Sequence, residues 1–263
     1  MPSEPAVAPG SRIAEAFSSH DKRAALMPYL MGGFPSLEES RRIGLACADS
    51  GADLVELGIP FSDPLADGPV IHAAGTHALR EGATPGAVLE ICATLAERMP
   101  VALMVYANLL VGHDAFVDRA ADAGAAALIV PDLPHDESGE LRAACDAKGL
   151  ALVPLVAPTT TDERMKAIGA EARGFVYTVS LTGTTGERSE LPPELTRTVE
   201  RARAVTELPV AVGFGISTPE QARQVGEAAD GVIVGTRLVR AAGEGGAREV
   251  GKVVSSLAAA LAD

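Results

Sequence analysis

The segment DSGADLVELG, from Asp49 to Gly58, carries the pattern that decides the fold, because a helical stretch gives way through one glycine to a short apolar strand. The same order recurs in four further segments: DAGAAALIV (122–130), AKGLALVPL (147–155), EARGFVYTV (171–179) and AADGVIVG (228–235). A glycine in the left-handed conformation ends a helix and lets a strand begin almost at once. We therefore predict repeated strand–helix units with a left-handed glycine at each of these junctions.

Working outward from this segment, short runs rich in Val, Ile, Leu and Ala predict eight strands. They cover residues 26–31, 53–58, 101–106, 127–130, 151–156, 175–179, 209–213 and 231–234. Helical patterns between them cover residues 37–50, 87–98, 115–123, 137–148, 192–206 and 219–229. The apolar residues of the strands are continuous rather than alternating, which is typical of a parallel sheet covered on both faces.

Eight strand–helix units of about 33 residues each match the size of a barrel. We predict an α/β fold, a single (β/α)8 TIM barrel with an extra N-terminal helix over residues 12–22 that is capped by Ser11 and closes the barrel floor. This domain spans residues 11–263, and residues 1–10 are predicted to be a disordered tail. An open doubly wound sheet is the alternative, although no strand has the amphipathic pattern of an exposed edge.

Charge and cysteine usage exclude several classes of function. The formal net charge is -13 and the Lys and Arg residues form no run, so we expect neither a nucleic acid nor an anionic membrane as a partner. No apolar run approaches the ~18 residues of a membrane-spanning helix. Cys47, Cys92 and Cys145 are far apart, and the His residues lack ligand spacing, so we expect buried thiols, a cytoplasmic location and no metal site.

Three carboxylates follow one another at the end of the strand predicted over 53–58 and in the loop after it. Glu56 lies among apolar strand residues, whereas Asp63 and Asp67 stand beside proline or glycine in the loop. A carboxyl group buried among apolar residues gains proton affinity and can act as a general acid or base. A second carboxylate in a wetter place stays ionised, so we predict that Glu56 and Asp67 divide these two roles.

Glycine-containing turns follow the last three predicted strands, over residues 182–186, over residues 213–217, and at Gly235-Thr236. The second and third of these turns adjoin predicted helix N-termini, so their backbone N–H groups predict a phosphate site. The long polar segment over residues 181–191 is predicted to be a mobile lid above that site.

Together these residues resemble the α subunit family of tryptophan synthase, and the similarity extends from about Arg12 to the end of the chain. The strongest element is ELGIPFSDPLADGP, residues 56–69. Supporting elements are PYLMGGFPS (28–36), MVYANLL (104–110), VPDLP (130–134), APTTTDERM (157–165), YTVSLTGTTG (177–186) and GFGIST (213–218).

The resemblance implies a carbon–carbon lyase of tryptophan biosynthesis that cleaves indole-3-glycerol phosphate to indole and glyceraldehyde 3-phosphate in a retro-aldol reaction. It implies no cofactor in this chain. It also implies a partner, the tryptophan synthase β subunit, which uses pyridoxal phosphate and joins the chain in an α2β2 complex. A stand-alone lyase that releases indole without a β subunit remains the alternative.

The resemblance also implies roles for individual residues. Glu56 is then the acid/base residue, Asp67 accepts the ring N–H, and Tyr177 lies beside Glu56. Thr185 on the lid reaches Asp67, and Asp63 faces the β subunit. Tyr29, Met104 and Pro131 line the indole pocket. The phosphate positions are Gly186, Gly215, Gly235 and Thr236.

Two departures from the family pattern leave lid closure open, because Leu181 stands where Arg is frequent and Thr184 stands where Val is frequent. From the residues alone, Tyr106 is predicted to be a packing residue and Asp132 to order its loop. Two other functions compete: a sugar-phosphate isomerase and a non-catalytic binding subunit. The predicted strand ends lack the Lys, His pair or metal ligands of an isomerase, and a binding subunit has no need of the two carboxylates.

Overall fold

The computed structural model describes residues 10–111, 115–179, 193–213 and 215–262. Within these residues, nine parallel strands form one sheet around the centre of the molecule. They are β1 (Ala25–Met31), β2 (Val55–Gly58), β3 (Val101–Met104), β4 (Ala127–Ile129), β5 (Ala151–Val153), β6 (Leu155–Val156), β7 (Val176–Val179), β8 (Val210–Gly213) and β9 (Gly231–Val234). The continuous apolar runs of the sequence therefore form the predicted parallel strands.

Helices surround this sheet: the first lies at its lower end, and the others cover its outer face. They are α1 (Ser11–Ser18), α2 (Leu37–Asp49), α3 (Pro69–Arg80), α4 (Pro85–Ala96), α5 (Ala115–Asp122), α6 (Gly139–Ala147), α7 (Asp162–Glu171), α8 (Pro193–Arg203), α9 (Pro219–Ala228) and α10 (Thr236–Ala262), the last broken at Gly245 and Gly246. The sequence pattern did not single out α3 or α7. The first contains glycine, threonine and two histidines, and the second is mostly polar on a short span.

The sheet closes on itself through Pro154. Its strand order is β5-β4-β3-β2-β1-β9-β8-β7-β6, so β5 and β6 stand at the two ends and are separated in the chain only by this proline. The strand predicted over 151–156 is thus split in two, because a proline has no N–H to donate. Its carbonyl still accepts from the N–H of Tyr177 at 3.0 Å. The barrel is confirmed, and the open-sheet alternative is excluded.

Small residues line the lower part of the barrel and leave room for α1. The inner cluster contains Ala25, Ala102, Ala127, Ala151 and Ala211. Into the space that these side chains leave, α1 inserts Ile13, which is fully buried, and Phe17, whose ring lies 5.4 Å from that of Phe175. The predicted floor helix is present, and it fills the barrel from below.

The start and end of α1 differ from prediction. Gly10, not Ser11, is the N-cap, and no side chain caps the helix. Gly10 has a φ of 80°, and a Cβ there would lie 2.9 Å from the backbone nitrogen of Gly174, so this position admits only glycine. The helix ends at Ser18 rather than at residue 22. Lys22 instead donates to the carbonyl of Gly51 at 2.7 Å and to Asp53 at 2.8 Å.

Four of the five junction glycines have the predicted left-handed conformation. Their φ angles are 96° at Gly51, 75° at Gly124, 73° at Gly149 and 73° at Gly174. The prediction is wrong for Gly231, which has no positive φ and is the first residue of β9. A Cβ at Gly231 would lie 2.7 Å from the ring of Phe17. The fifth glycine therefore makes room for the floor helix.

The three cysteines are free and buried, as expected. Burial raises the pKa of Cys47, Cys92 and Cys145 to about 12, so their thiols stay protonated. Within the described ranges, no helix is both long and apolar enough to cross a membrane.

Candidate active site

Glu56 projects from β2 into the barrel and is buried. Side chains alternate along a strand, so Val55 and Leu57 pack outward against the helices while Glu56 points inward. Only 1% of the residue is exposed. Burial raises the pKa of this carboxyl from 4.5 to about 8; a hydrogen bond from Tyr177 lowers it, and the charge of Asp67 raises it further. At neutral pH the group therefore holds a proton that it can give away.

Tyr177 approaches Glu56 from β7 on another wall of the barrel. Its hydroxyl donates to Oε2 of Glu56 at 3.4 Å. The ring lies over Gly213 on the neighbouring strand β8, where a Cβ would come within 2.5 Å of the hydroxyl. Glycine at position 213 thus makes room for the tyrosine that contacts the buried carboxyl.

Asp67 stands on the loop between β2 and α3, in a partly exposed position. Its Oδ1 accepts a hydrogen bond from the hydroxyl of Tyr106 at 3.0 Å, and the same hydroxyl accepts from the N–H of Ala66 at 3.1 Å. The ring of Tyr106 is stacked on Phe61 at 5.2 Å. Partial burial raises the pKa of Asp67 from 3.8 to about 6, while Tyr106 and His72 lower it. The carboxylate is thus mostly ionised at neutral pH.

The pKa values of the two carboxyl groups differ as predicted, because Glu56 lies deeper and has the higher pKa. The pKa of Asp67 is also raised, however, which the sequence did not suggest. The Asp67 loop was expected to be wet, but Tyr106 from the end of β3 covers one side of it. Tyr106 is therefore a site residue, and its prediction as a packing residue was incomplete. Tyr106 is the last residue of the strand predicted over 101–106, and active sites of barrels lie at the carboxyl ends of the strands; this position is the signal that could have found it.

Asp132 takes the structural role that its sequence context predicted. Its Oδ1 accepts from the N–H of Ala107 at 2.8 Å and so joins the loop after β4 to the turn after β3.

Both carboxyl groups open into one cavity of about 480 Å³ at the carboxyl ends of the strands. This volume lies within the ~300–1,000 Å³ range of small-molecule sites. The cavity collects most of the residues that the sequence and the resemblance singled out: Tyr29, Glu56, Asp67, Met104, Pro131, Tyr177, Gly215, Gly235 and Thr236. Ile71, Ile129, Leu155 and Ile233 give it apolar walls, which the sequence did not identify.

Asp63 is the predicted site residue within the described ranges that does not line this cavity. It lies on the exposed outer part of the β2–α3 loop, where it accepts a hydrogen bond from Ser62 at 2.6 Å. Thr185 and Gly186 lie outside the described residues, as do the whole predicted lid over 181–191 and residues 1–9 of the predicted tail.

The cavity ends at the start of α10. Gly235 and Thr236 line this end, and the first N–H groups of a helix have no partner within the helix. The neighbouring helix α9 differs, because a capping box of Thr218 and Gln221 closes its N-terminus. Gly215, with a φ of 42°, lies on the turn between β8 and α9 and lines the same end. The N-terminus of α10 therefore suits an anion better than that of α9, whose N–H groups are partly used by the capping box.

A second cavity, of about 290 Å³, lies beside α6 and α7. Three of its lining residues form one charged group: Glu171 accepts from Arg142 at 2.8 Å and lies 3.2 Å from His135. This cavity has no buried carboxyl group like Glu56. In the described part of the chain, no three His, Cys, Asp or Glu side chains are grouped as metal ligands.

Comparison with protein families finds one matching model, "Tryptophan synthase alpha chain", over residues 16–261. Among curated relatives, the tryptophan synthase alpha chain of Carboxydothermus hydrogenoformans is 48% identical over 235 residues, which is 87% of this chain and 88% of that protein. The alpha chain of Prochlorococcus marinus is 51% identical over 223 residues, covering 83% of this chain and 81% of that protein.

Solved structures agree with the sequence relatives. A structure of Mycobacterium tuberculosis tryptophan synthase matches with a TM-score of 0.89 and 40% identity, over 96% of this chain and 98% of that one. The tryptophan synthase alpha subunit of Legionella pneumophila matches with a TM-score of 0.85 and 37% identity, over 95% and 98% of the two chains.

Proposed function

The chain belongs to the tryptophan synthase alpha chain family, and we propose that Glu56 and Asp67 carry the reaction of this family in it. That reaction is the cleavage of indole-3-glycerol phosphate to indole and glyceraldehyde 3-phosphate. The observation that carries the assignment is a buried, protonated carboxyl group that shares one cavity with an ionised one.

The chemistry requires a group that first gives and then takes a proton. Indole leaves poorly until its ring carbon C3 is protonated, and Glu56 holds the proton that this step needs. Once it is ionised, Glu56 accepts the proton of the hydroxyl on the adjacent side-chain carbon. As that proton leaves, the bond between C3 and the side chain breaks, its electron pair returns to the ring, and the hydroxyl oxygen becomes the aldehyde. Glu56 ends the cycle protonated.

Asp67 stabilises the charge that appears between these two proton transfers. Protonation at C3 places positive charge on the ring nitrogen, and an ionised carboxylate that accepts the ring N–H opposes that charge. Tyr106 holds Asp67 in place with its 3.0 Å hydrogen bond. Tyr177 does the same for Glu56, and its hydroxyl favours the ionised form that must take the second proton.

The cavity fits the shape and polarity of the substrate. Tyr29, Met104 and Pro131, with the apolar wall residues, would hold the indole ring. The phosphate would bind at Gly215, Gly235 and Thr236, where backbone N–H groups at the start of α10 favour an anion. Gly186 and Thr185, which lie outside the described residues, would complete the phosphate site and the lid.

The proposed partner is a tryptophan synthase β subunit in an α2β2 complex, in the cytoplasm, with pyridoxal phosphate bound in the β subunit and no cofactor in this chain. Support comes from the close match to a chain of Mycobacterium tuberculosis tryptophan synthase. The loop of Asp63 exposes Leu65, of which 93% is accessible, and Val111 is 73% exposed. Such apolar side chains suit a protein interface, and we place Asp63 there.

Cleavage measured with and without a β subunit tests this proposal. Because the chain has no Trp, it adds almost no background to indole fluorescence, and released indole and glyceraldehyde 3-phosphate can be quantified after separation from the substrate. Slow cleavage alone that accelerates with the β subunit is expected. Fast cleavage without a partner would indicate the stand-alone lyase instead. The variants Glu56→Gln and Asp67→Asn keep the size of the side chain and should both lose turnover. Wild-type rates in both would refute the roles proposed for these residues.

A further inference from the structure

The hydroxyl of Tyr29 is buried beside the two carboxyl groups and has no hydrogen-bond partner among the described residues. Tyr29 is paired with Glu56 in the ladder between β1 and β2, so the two residues are at the same level of the barrel. The hydroxyl lies over Gly58, two residues beyond Glu56, where any Cβ would clash with it. Gly58 therefore makes room for this hydroxyl as Gly213 does for that of Tyr177.

An unpaired buried hydroxyl is unfavourable. Burying a hydroxyl group without a hydrogen bond destabilises the fold, and phenylalanine would line an apolar pocket without that cost. The chain has six Phe residues but only three Tyr residues, and all three lie around the two carboxyl groups. Two of them, Tyr106 and Tyr177, donate to Asp67 and Glu56. The third has no such acceptor in the described protein, which indicates that its acceptor arrives with the ligand.

The hydroxyl of Tyr29 keeps its proton and so has a hydrogen to donate to a substrate acceptor. Burial raises its pKa well above the ordinary value, and the charges of Asp67 and Glu56 raise it further. In the proposed function the indole N–H donates to Asp67, so it is not the partner. The phosphate positions are at the other end of the residue, because the Cβ of Tyr29 is the part that faces Gly235. The glycerol hydroxyl oxygens remain as acceptors.

We propose that Tyr29 donates a hydrogen bond to a hydroxyl oxygen of the substrate's glycerol chain and so selects a hydroxylated side chain over an unsubstituted one. This inference rests on the proposed function. Tyr29 is then more than a wall of the indole pocket, since its ring packs against the cavity while its hydroxyl binds the part of the substrate next to the bond that breaks.

The test compares wild type and Tyr29→Phe with two ligands that share the indole ring and the phosphate. Indole-3-glycerol phosphate has both side-chain hydroxyls, and indole-3-propanol phosphate has neither. For the first, we expect kcat/KM of the variant to fall about tenfold, the usual effect of one hydrogen bond. For the second, the Kd measured by calorimetry should stay within about twofold, because the lost donor has no acceptor there.

Tyr177→Phe is the matched control, because it removes the same group from a tyrosine whose acceptor is Glu56. It should shift the basic limb of the pH profile, whereas Tyr29→Phe should leave both limbs in place. The Tm of Tyr29→Phe should equal or exceed that of wild type, since an unpaired hydroxyl is removed. Equal losses for both ligands, or a lowered Tm with weaker binding of both, would reduce Tyr29 to a structural role and overturn the inference.

An unchanged kcat/KM in Tyr29→Phe would overturn the inference too, while cleavage by wild type would leave the proposed function intact. Absence of cleavage by wild type, with and without a β subunit, would refute the proposed function and this inference together.

Discussion

Replacing Glu56 by Gln should make the protein more stable, by an amount that grows with pH. Gln has nearly the same shape and its amide oxygen can still accept from Tyr177, but it never ionises. The wild-type carboxyl has a pKa of 4.5 when exposed and of about 8 when folded. At ~1.4 kcal/mol per pKa unit, this difference corresponds to roughly 5 kcal/mol of folding free energy.

The sign follows from which state binds the proton more tightly. Below about pH 4.5 both states of wild type hold the proton, and the carboxyl gives no pH dependence. Between about pH 4.5 and about 8 the unfolded chain ionises and the folded chain does not, so wild type loses ~1.4 kcal/mol of stability per pH unit. Above about pH 8 both states are ionised, and the loss is complete.

Urea unfolding of wild type and Glu56→Gln, followed by circular dichroism from pH 5 to pH 9, measures this difference. Groups that do not interact with Glu56 titrate equally in both proteins, so subtracting the two curves isolates Glu56 and its coupling to Asp67. We expect the variant's advantage to increase by roughly 4 kcal/mol between pH 5 and pH 8 and then to level off. An advantage that does not change with pH would show that Glu56 titrates as an exposed carboxyl does, and would refute its role as a proton donor at neutral pH.

Three further predictions concern the site and its support. The profile of kcat/KM against pH should be highest between the pKa of Asp67, about 6, and that of Glu56, about 8. Tyr106→Phe should move the acid limb to higher pH, because it removes the hydrogen bond that lowers the pKa of the Asp67 carboxylate. Gly213→Ala should lower turnover about tenfold or more with an unchanged circular dichroism spectrum, since its Cβ would displace the Tyr177 hydroxyl. Ile13→Ala should reduce the free energy of unfolding in urea by about 2–5 kcal/mol with the cavity of the site intact.

The barrel could be predicted because its signals are local. Each strand is a continuous apolar run, and each junction at Gly51, Gly124, Gly149 or Gly174 needs one residue type in one conformation. The prediction of a left-handed glycine failed at Gly231, which has a similar sequence context but is required to be glycine for another reason. That reason is the ring of Phe17, which is more than 200 residues away in the chain. A single sequence contains no local trace of such a contact.

The same distinction explains the carboxyl groups. Glu56 could be identified because a charged residue inside an apolar strand is unusual on local grounds. The environment of Asp67 could not, because it depends on Tyr106, which is 39 positions further along the chain. The split of one predicted strand at Pro154 likewise depends on distant residues, since β5 pairs with β4 whereas β6 pairs with β7.

Local sequence signals do not distinguish the three tyrosines, whereas their contacts in the structure do. From the sequence, Tyr29, Tyr106 and Tyr177 are all consistent with packing, because an aromatic ring within or just after a strand fits a pocket wall with or without its hydroxyl. The structure separates them by what each hydroxyl contacts: Asp67, Glu56, or no acceptor among the described residues. Each paired hydroxyl holds one of the two carboxyl groups in place. A hydroxyl that is buried and unpaired is unfavourable, so its presence beside the two carboxyl groups argues that the substrate supplies the missing acceptor.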